Sequence, residues 1–165
     1  MNKDEYSALD GLGLAQLIQQ GEVTAADALA TAQSLLDEKN PTLNAMVLSM
    51  KTQAAESIEA GLPNGPFTGV PFALKDLGMQ YQGVVTSNGS RLFSDCVATH
   101  NSTLVQRYKA AGLVICGKSN TPEFGLATTT EPVLFGATHN PWKHGYSSGG
   151  SSGGASALVA AGIIP

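Results

Sequence analysis

Two stretches of this chain carry residue types that could do chemistry. The first is Lys75, which closes the apolar run Val70–Leu74 and is followed by Asp76. A lysine at the end of a buried strand loses hydration, which disfavours its charged form and pulls its pKa toward neutrality. A neutral amine accepts a proton, so such a lysine can serve as a general base. Taken alone, a salt bridge to Asp76 or to a helix C-terminus is the more ordinary reading of the same residue. The second stretch is Gly149-Gly150-Ser151-Ser152-Gly153-Gly154-Ala155-Ser156, which runs straight into Ala157-Leu158-Val159-Ala160-Ala161-Gly162. Glycine allows positive φ and close approach of another chain or a ligand. A Gly/Ser run that opens a helix also points free backbone N–H groups at one place, which suits an anion or an oxyanion. A flexible linker has the same composition, which does not separate the two. The flanks argue against a linker: Asn140-Pro141-Trp142 precedes the run and a small-residue apolar helix follows it.

Other candidates for chemistry fall away on context. Residues Gly112 to Ser119 match the phosphate-loop pattern GxxxxGK[ST] letter for letter. That pattern needs a strand before it, a flexible loop within it and a helix after it. Here a helix comes before, Leu113–Cys116 reads as a strand, and Pro122 follows closely, so Lys118 is expected to be structural or at the surface. His100, His139 and His144 lack metal-ligand spacing. Cys116 reads as a small core residue. Cys96 stands beside Asp95 and no neighbouring base, so it is not expected to be a reactive thiol.

The elements that must position these groups follow the pattern of an α/β protein. Leu14, Leu17 and Ile18 have helical spacing, with Gly21 as a stop. Thr24-Ala25-Ala26-Asp27 resembles a capping box. It opens a helix with Ala28, Leu29, Ala32, Leu35 and Leu36 on one side, expected to end before Pro41. A short strand is expected within Asn44–Met50, a helix over Lys51–Ala60, and a turn at Pro63–Pro66. Val70–Leu74 is expected to be a buried strand and Gly83–Ser90 a loop. A helix capped at Asn101-Ser102 has Leu104, Val105 and Tyr108 as its apolar positions and stops at Gly112. It leads directly into the strand Leu113–Cys116. Thr121–Trp142 has no period and is too long for an ordinary connection, which marks it as functional.

Composition bounds the rest. A chain of 165 residues buries about 70% of its unfolded surface. Charged residues are only 13%, against a usual share of about 25%, which suggests faces meant to be covered by something larger. A net charge of −4 favours neither nucleic acid nor an anionic membrane. No apolar run is long enough to span a bilayer, no secretory leader is seen at the polar start Met1–Glu5, and two cysteines make no disulfide framework. The expected setting is a reduced cytoplasm.

Five ordered blocks resemble the amidase signature hydrolases. Gly69–Asp76 is similar to the family's GVPxxxKD, Thr86–Ser90 to T-x-x-GS, and Gly117–Phe124 to GKTNxPEF. Phe135–Trp142 is similar to FGxTxNPW, and Gly149–Gly154 matches GGSSGG. The resemblance implies an α/β fold with a mixed central sheet flanked by helices. Residues 1–165 would form the N-terminal portion of one domain, with 1–65 a mainly helical arm and 66–165 the start of the catalytic core. It implies a Ser-Ser-Lys triad with Lys75 as base and Ser151, held by a cis peptide bond, as proton relay. Gly125 and Ala127, with Ser151, would bind substrate. The third member, a nucleophilic serine in a TDxGGS-type block, and the oxyanion hole beside it are expected beyond Pro165, so this chain alone is expected to be inactive. The resemblance further implies a small-molecule amide substrate, no cofactor and no metal, and it is compatible with a homodimer. Thr128–Pro132 with Thr121–Glu123 looks more like stand-alone amidases acting on nylon oligomers. An A-type component of a glutamyl-tRNA amidotransferase and a non-catalytic module are the alternatives.

Overall fold

A computed structural model describes all 165 residues. Six helices and two small sheets follow one another as α1 (Lys3–Ser7), α2 (Gly11–Gln19), α3 (Ala25–Leu43), β1 (Met46–Ser49), α4 (Lys51–Glu59), β2 (Pro71–Lys75), α5 (Thr103–Ala110), β3 (Val114–Ser119), β4 (His139–Asn140), β5 (Lys143–Ser147) and α6 (Gly153–Ala160). The main sheet has the order β1-β3-β2. It is mixed, with β1 antiparallel and β2 parallel to the central β3. The parallel pair needs a long crossover, and α5 lies within it.

Every residue of β3 is buried, so its two faces feed two cores. Val114 and Cys116 join the larger one, with Ala28, Ala32, Leu35 and Leu36 of α3 and Ala157 and Leu158 of α6. Ile115 joins the smaller, with Leu74, Val84 and Val105. The apolar stripe expected on α3 is therefore the stripe that is buried. Its start also follows the expected chemistry: Thr24 Oγ1 accepts from Asp27 N at 3.0 Å and Asp27 reaches back to Thr24 N at 3.4 Å. On α5, Val105 is buried but Leu104 is exposed. No helix is long and apolar enough to cross a membrane.

Four boundaries differ from expectation. Helix α3 does not stop before Pro41 but carries it inside. Proline cannot donate to the preceding turn, yet Asn40 holds the following segment together. Its Oδ1 accepts from Ala45 N and Met46 N at 2.9 and 2.8 Å, and its Nδ2 donates to Met46 O at 2.9 Å. Asn44, left-handed at φ 50°, then ends the helix. Strand β3 runs past Cys116 to Ser119, because Gly117 and Lys118 pair with β1 on one side and β2 on the other. The hairpin β4–β5 was not legible: every residue of β5 is exposed, so no alternation marks it. Finally α6 begins at Gly153, inside the glycine run.

Candidate active site

The parallel pairing of β2 and β3 puts their carboxyl ends side by side, with Lys75 opposite Ser119 and Asp76 N donating to Ser119 O at 3.1 Å. Crevices at the carboxyl ends of such strands are where α/β folds bind ligands. Here the bend Gly149–Ser152 and the start of α6 close over that end. Lys75 Nζ donates to Ser151 Oγ at 2.8 Å and to Ser152 Oγ at 3.1 Å. The peptide bond between Gly150 and Ser151 is cis.

Lys75 has no carboxylate partner. The ion pairs of the chain are Lys3–Glu38 and Lys118–Asp76, so the salt bridge from Lys75 to Asp76 is not made. Asp76 turns instead into the protein, where it accepts from Lys118 Nζ at 3.4 Å, from Ser87 N at 3.2 Å, and from Ser87 Oγ. Lys118 also donates to Thr86 Oγ1 at 2.6 Å and is fully buried. Residues Val114 to Ser119 are strand throughout, so the phosphate-loop pattern has neither its loop nor a free lysine. With no opposite charge beside it, the Lys75 amine responds to burial, which holds its pKa below the ordinary lysine value.

The bend is gripped by the long segment after β3. Thr121 Oγ1 donates to Ser151 O at 3.1 Å. Thr130 Oγ1 donates to Gly149 O at 2.9 Å and accepts from Gly153 N at 3.1 Å. Gly154 N donates to Asn120 O at 3.2 Å. A Cβ on Gly150 would lie 2.7 Å from Thr128 C and 3.0 Å from Ala127 O, so only glycine lets the bend pack against residues 127–129. Gly125, at φ +68°, faces the same hydroxyl: a Cβ there would sit 3.6 Å from Ser151 Oγ. Lys75, Ser151, Gly125 and Ala127 thus converge from β2, the bend and the segment after β3.

This arrangement can be set beside known proteins. A family model described as Amidase matches residues 27–165. The chain belongs to the amidase family. The chain is 40% identical over 158 residues to a 6-aminohexanoate-cyclic-dimer hydrolase of Paenarthrobacter ureafaciens, a match covering 94% of this chain and 32% of that protein. It is 38% identical over 162 residues to a lipoamidase of Enterococcus faecalis, covering 98% and 22%. The A-type component of the glutamyl-tRNA(Gln) amidotransferase of Lachnospira eligens is 39% identical over 164 residues, covering 95% and 33%. A solved structure of a 6-aminohexanoate cyclic dimer hydrolase complexed with substrate superposes with a TM-score of 0.90 at 40% identity, covering 95% of this chain and 33% of that one. The chain spans about a third or less of the length of these relatives.

Sequence reasoning missed Ser152 as the second partner of Lys75, although the serine doublet was a visible signal. It also missed the roles of Thr121 and Thr130, although both stand within stretches that carry the family resemblance.

Proposed function

We propose that residues 1–165 supply the base and the proton relay of an amide hydrolase, with Lys75 and Ser151 as catalytic residues. Neutral Lys75 takes the Ser151 proton while Ser151 takes that of a nucleophilic serine carried by a segment outside these residues. That serine oxygen bonds to the carboxamide carbon. The carbon–nitrogen bond breaks as the relayed proton returns to the leaving nitrogen, and an acyl-enzyme forms. Water, deprotonated through the same pair, then releases the acid. Gly125 and Ala127 flank the bound acyl group. The observation that carries this reading is the 2.8 Å contact between Lys75 Nζ and Ser151 Oγ, made by an amine that burial holds toward neutrality and no carboxylate claims.

The likeness to an amidotransferase component supports a second reading, in which the released ammonia passes to a partner protein. The test expresses the complete open reading frame that encodes residues 1–165 and follows amine or ammonia release from small linear and cyclic carboxamides. Hydrolysis without a partner is expected. Lys75→Ala and Ser151→Ala should each lower kcat/KM by about 10²–10⁴-fold, the usual worth of positioned proton transfer. Near-normal turnover by either variant refutes the assignment. Ammonia release that requires a second protein selects the amidotransferase reading. Residues 1–165 expressed alone should give no turnover.

A further inference from the structure

The helix α6 starts at the reactive bend, yet its own N-cap residue does not cap it. Ser152 makes no side-chain bond to the backbone of the first turn, because its hydroxyl lies against Lys75. The first N–H groups of a helix need acceptors. For Gly153 N the acceptor is Thr130 Oγ1, which comes from a separate segment. The same hydroxyl donates to Gly149 O. A hydroxyl has one proton and two lone pairs, so it makes both bonds at once. Gly149 and Gly153 stand two residues before and two after Ser151.

We propose that Thr130 is a positioning residue for Ser151: one hydroxyl ties both arms of the bend together and so sets where the Ser151 hydroxyl stands relative to Lys75. This rests on the amidase reading above. Thr130 is fully buried and is itself fixed. Its carbonyl accepts from Thr138 N at 2.9 Å. Thr138 in turn donates from Oγ1 to Asn44 O at 2.7 Å and accepts from Asn120 Nδ2 at 2.9 Å. A Cβ on Gly153 would lie 2.3 Å from Thr130 Oγ1, so the threonine and the bend are in tight contact. The other threonine that grips the bend does so less completely. Thr121 Oγ1 shares its single proton between Ser151 O at 3.1 Å and Pro122 O at 3.2 Å, and it touches one arm only. Without the Thr130 hydroxyl, the bend loses its cross-tie and the Ser151 Oγ is free to move from Lys75.

The test uses the complete open reading frame and a chromogenic anilide. Thr130→Val keeps the shape and removes both bonds; Thr130→Ser keeps both bonds and removes a methyl group. Misplacement of a reacting group by about 1 Å costs on the order of 10²-fold. T130V is therefore expected to lower kcat by about that factor with KM unchanged, and T130S to stay near the wild-type rate. Should T130V fail to fold, Thr130→Cys, with a weakly bonding thiol of similar volume, should show the same loss confined to kcat. Wild-type kcat in T130V or T130C overturns the proposal, as does an equal loss in T130S, which would assign the effect to packing. Activity retained by Lys75→Ala instead overturns the assignment of Lys75 and Ser151 on which this rests, so the two failures are distinct.

Discussion

Removing the Lys118 ammonium should be strongly destabilising although its hydrogen bonds go to Asp76 and Thr86 and not to Lys75 or Ser151. Lys118 and Asp76 are both buried, and their contact is 3.4 Å. Burial pushes the lysine pKa down, and Asp76 opposes that shift. Lys118→Met keeps most of the side-chain volume, so little cavity forms. What remains is an uncompensated carboxylate, and breaking one side of a buried pair costs about 3–5 kcal/mol. Asp76 keeps its two bonds from Ser87, which favours the lower end, about 3 kcal/mol. Thr86 Oγ1 also loses its 2.6 Å donor, worth about 1 kcal/mol. A total of about 4 kcal/mol lowers the thermal midpoint of a chain this size by roughly 8–16 °C. Circular dichroism melts at pH 7 measure it. Asp76→Asn in the Lys118→Met background should recover part of the loss, because the stranded charge is gone. A single variant that melts within about 2 °C of wild type, or a double variant that recovers nothing, refutes the reasoning.

Two further outcomes follow from the geometry. Burial holds the Lys75 pKa below its ordinary value, and only the neutral amine can accept a proton. The kcat/KM of the complete reading frame should therefore rise with pH through that pKa and level off, with a midpoint below the usual lysine value of about 10.4. A midpoint at or above that value contradicts the reading. A Cβ on Gly154 would lie 2.3 Å from Asn120 N and 2.6 Å from Ala45 O, both backbone atoms, whereas one on Gly11 would meet ordinary contacts at 3.8 Å and beyond. Gly154→Ala should destabilise by about 3 kcal/mol or more, and Gly11→Ala in helix α2 should stabilise by about 0.5 kcal/mol. Denaturant melts that rank the two in the opposite order would show the close approach at Gly154 to be unimportant.

The periodic elements were legible because their signals are local. The stripe on α3 and its capping box are set by residues three and four apart, and both appear where the spacing put them. Pro41 misled because the compensating bonds come from the Asn40 side chain to backbone groups five and six residues on, beyond the three- and four-residue spacing that helix rules read. The hairpin escaped because its strand is polar and exposed. It is held by backbone pairing and by the His139 and His144 rings, 4.2 Å apart across the two strands.

Residue order by itself determined that a lysine ends an apolar strand, that a serine doublet sits among glycines opening a helix, and that these stand within blocks of one family. Only tertiary structure decided which charges meet. Asp76 adjoins Lys75 in the chain, yet it lies one residue past β2 and pairs with Lys118 in the interior. That pairing leaves the Lys75 amine free to face Ser151 and Ser152 across 76 and 77 residues of chain. Which partner a buried charge finds is set by packing around it, and no spacing along the chain encodes that.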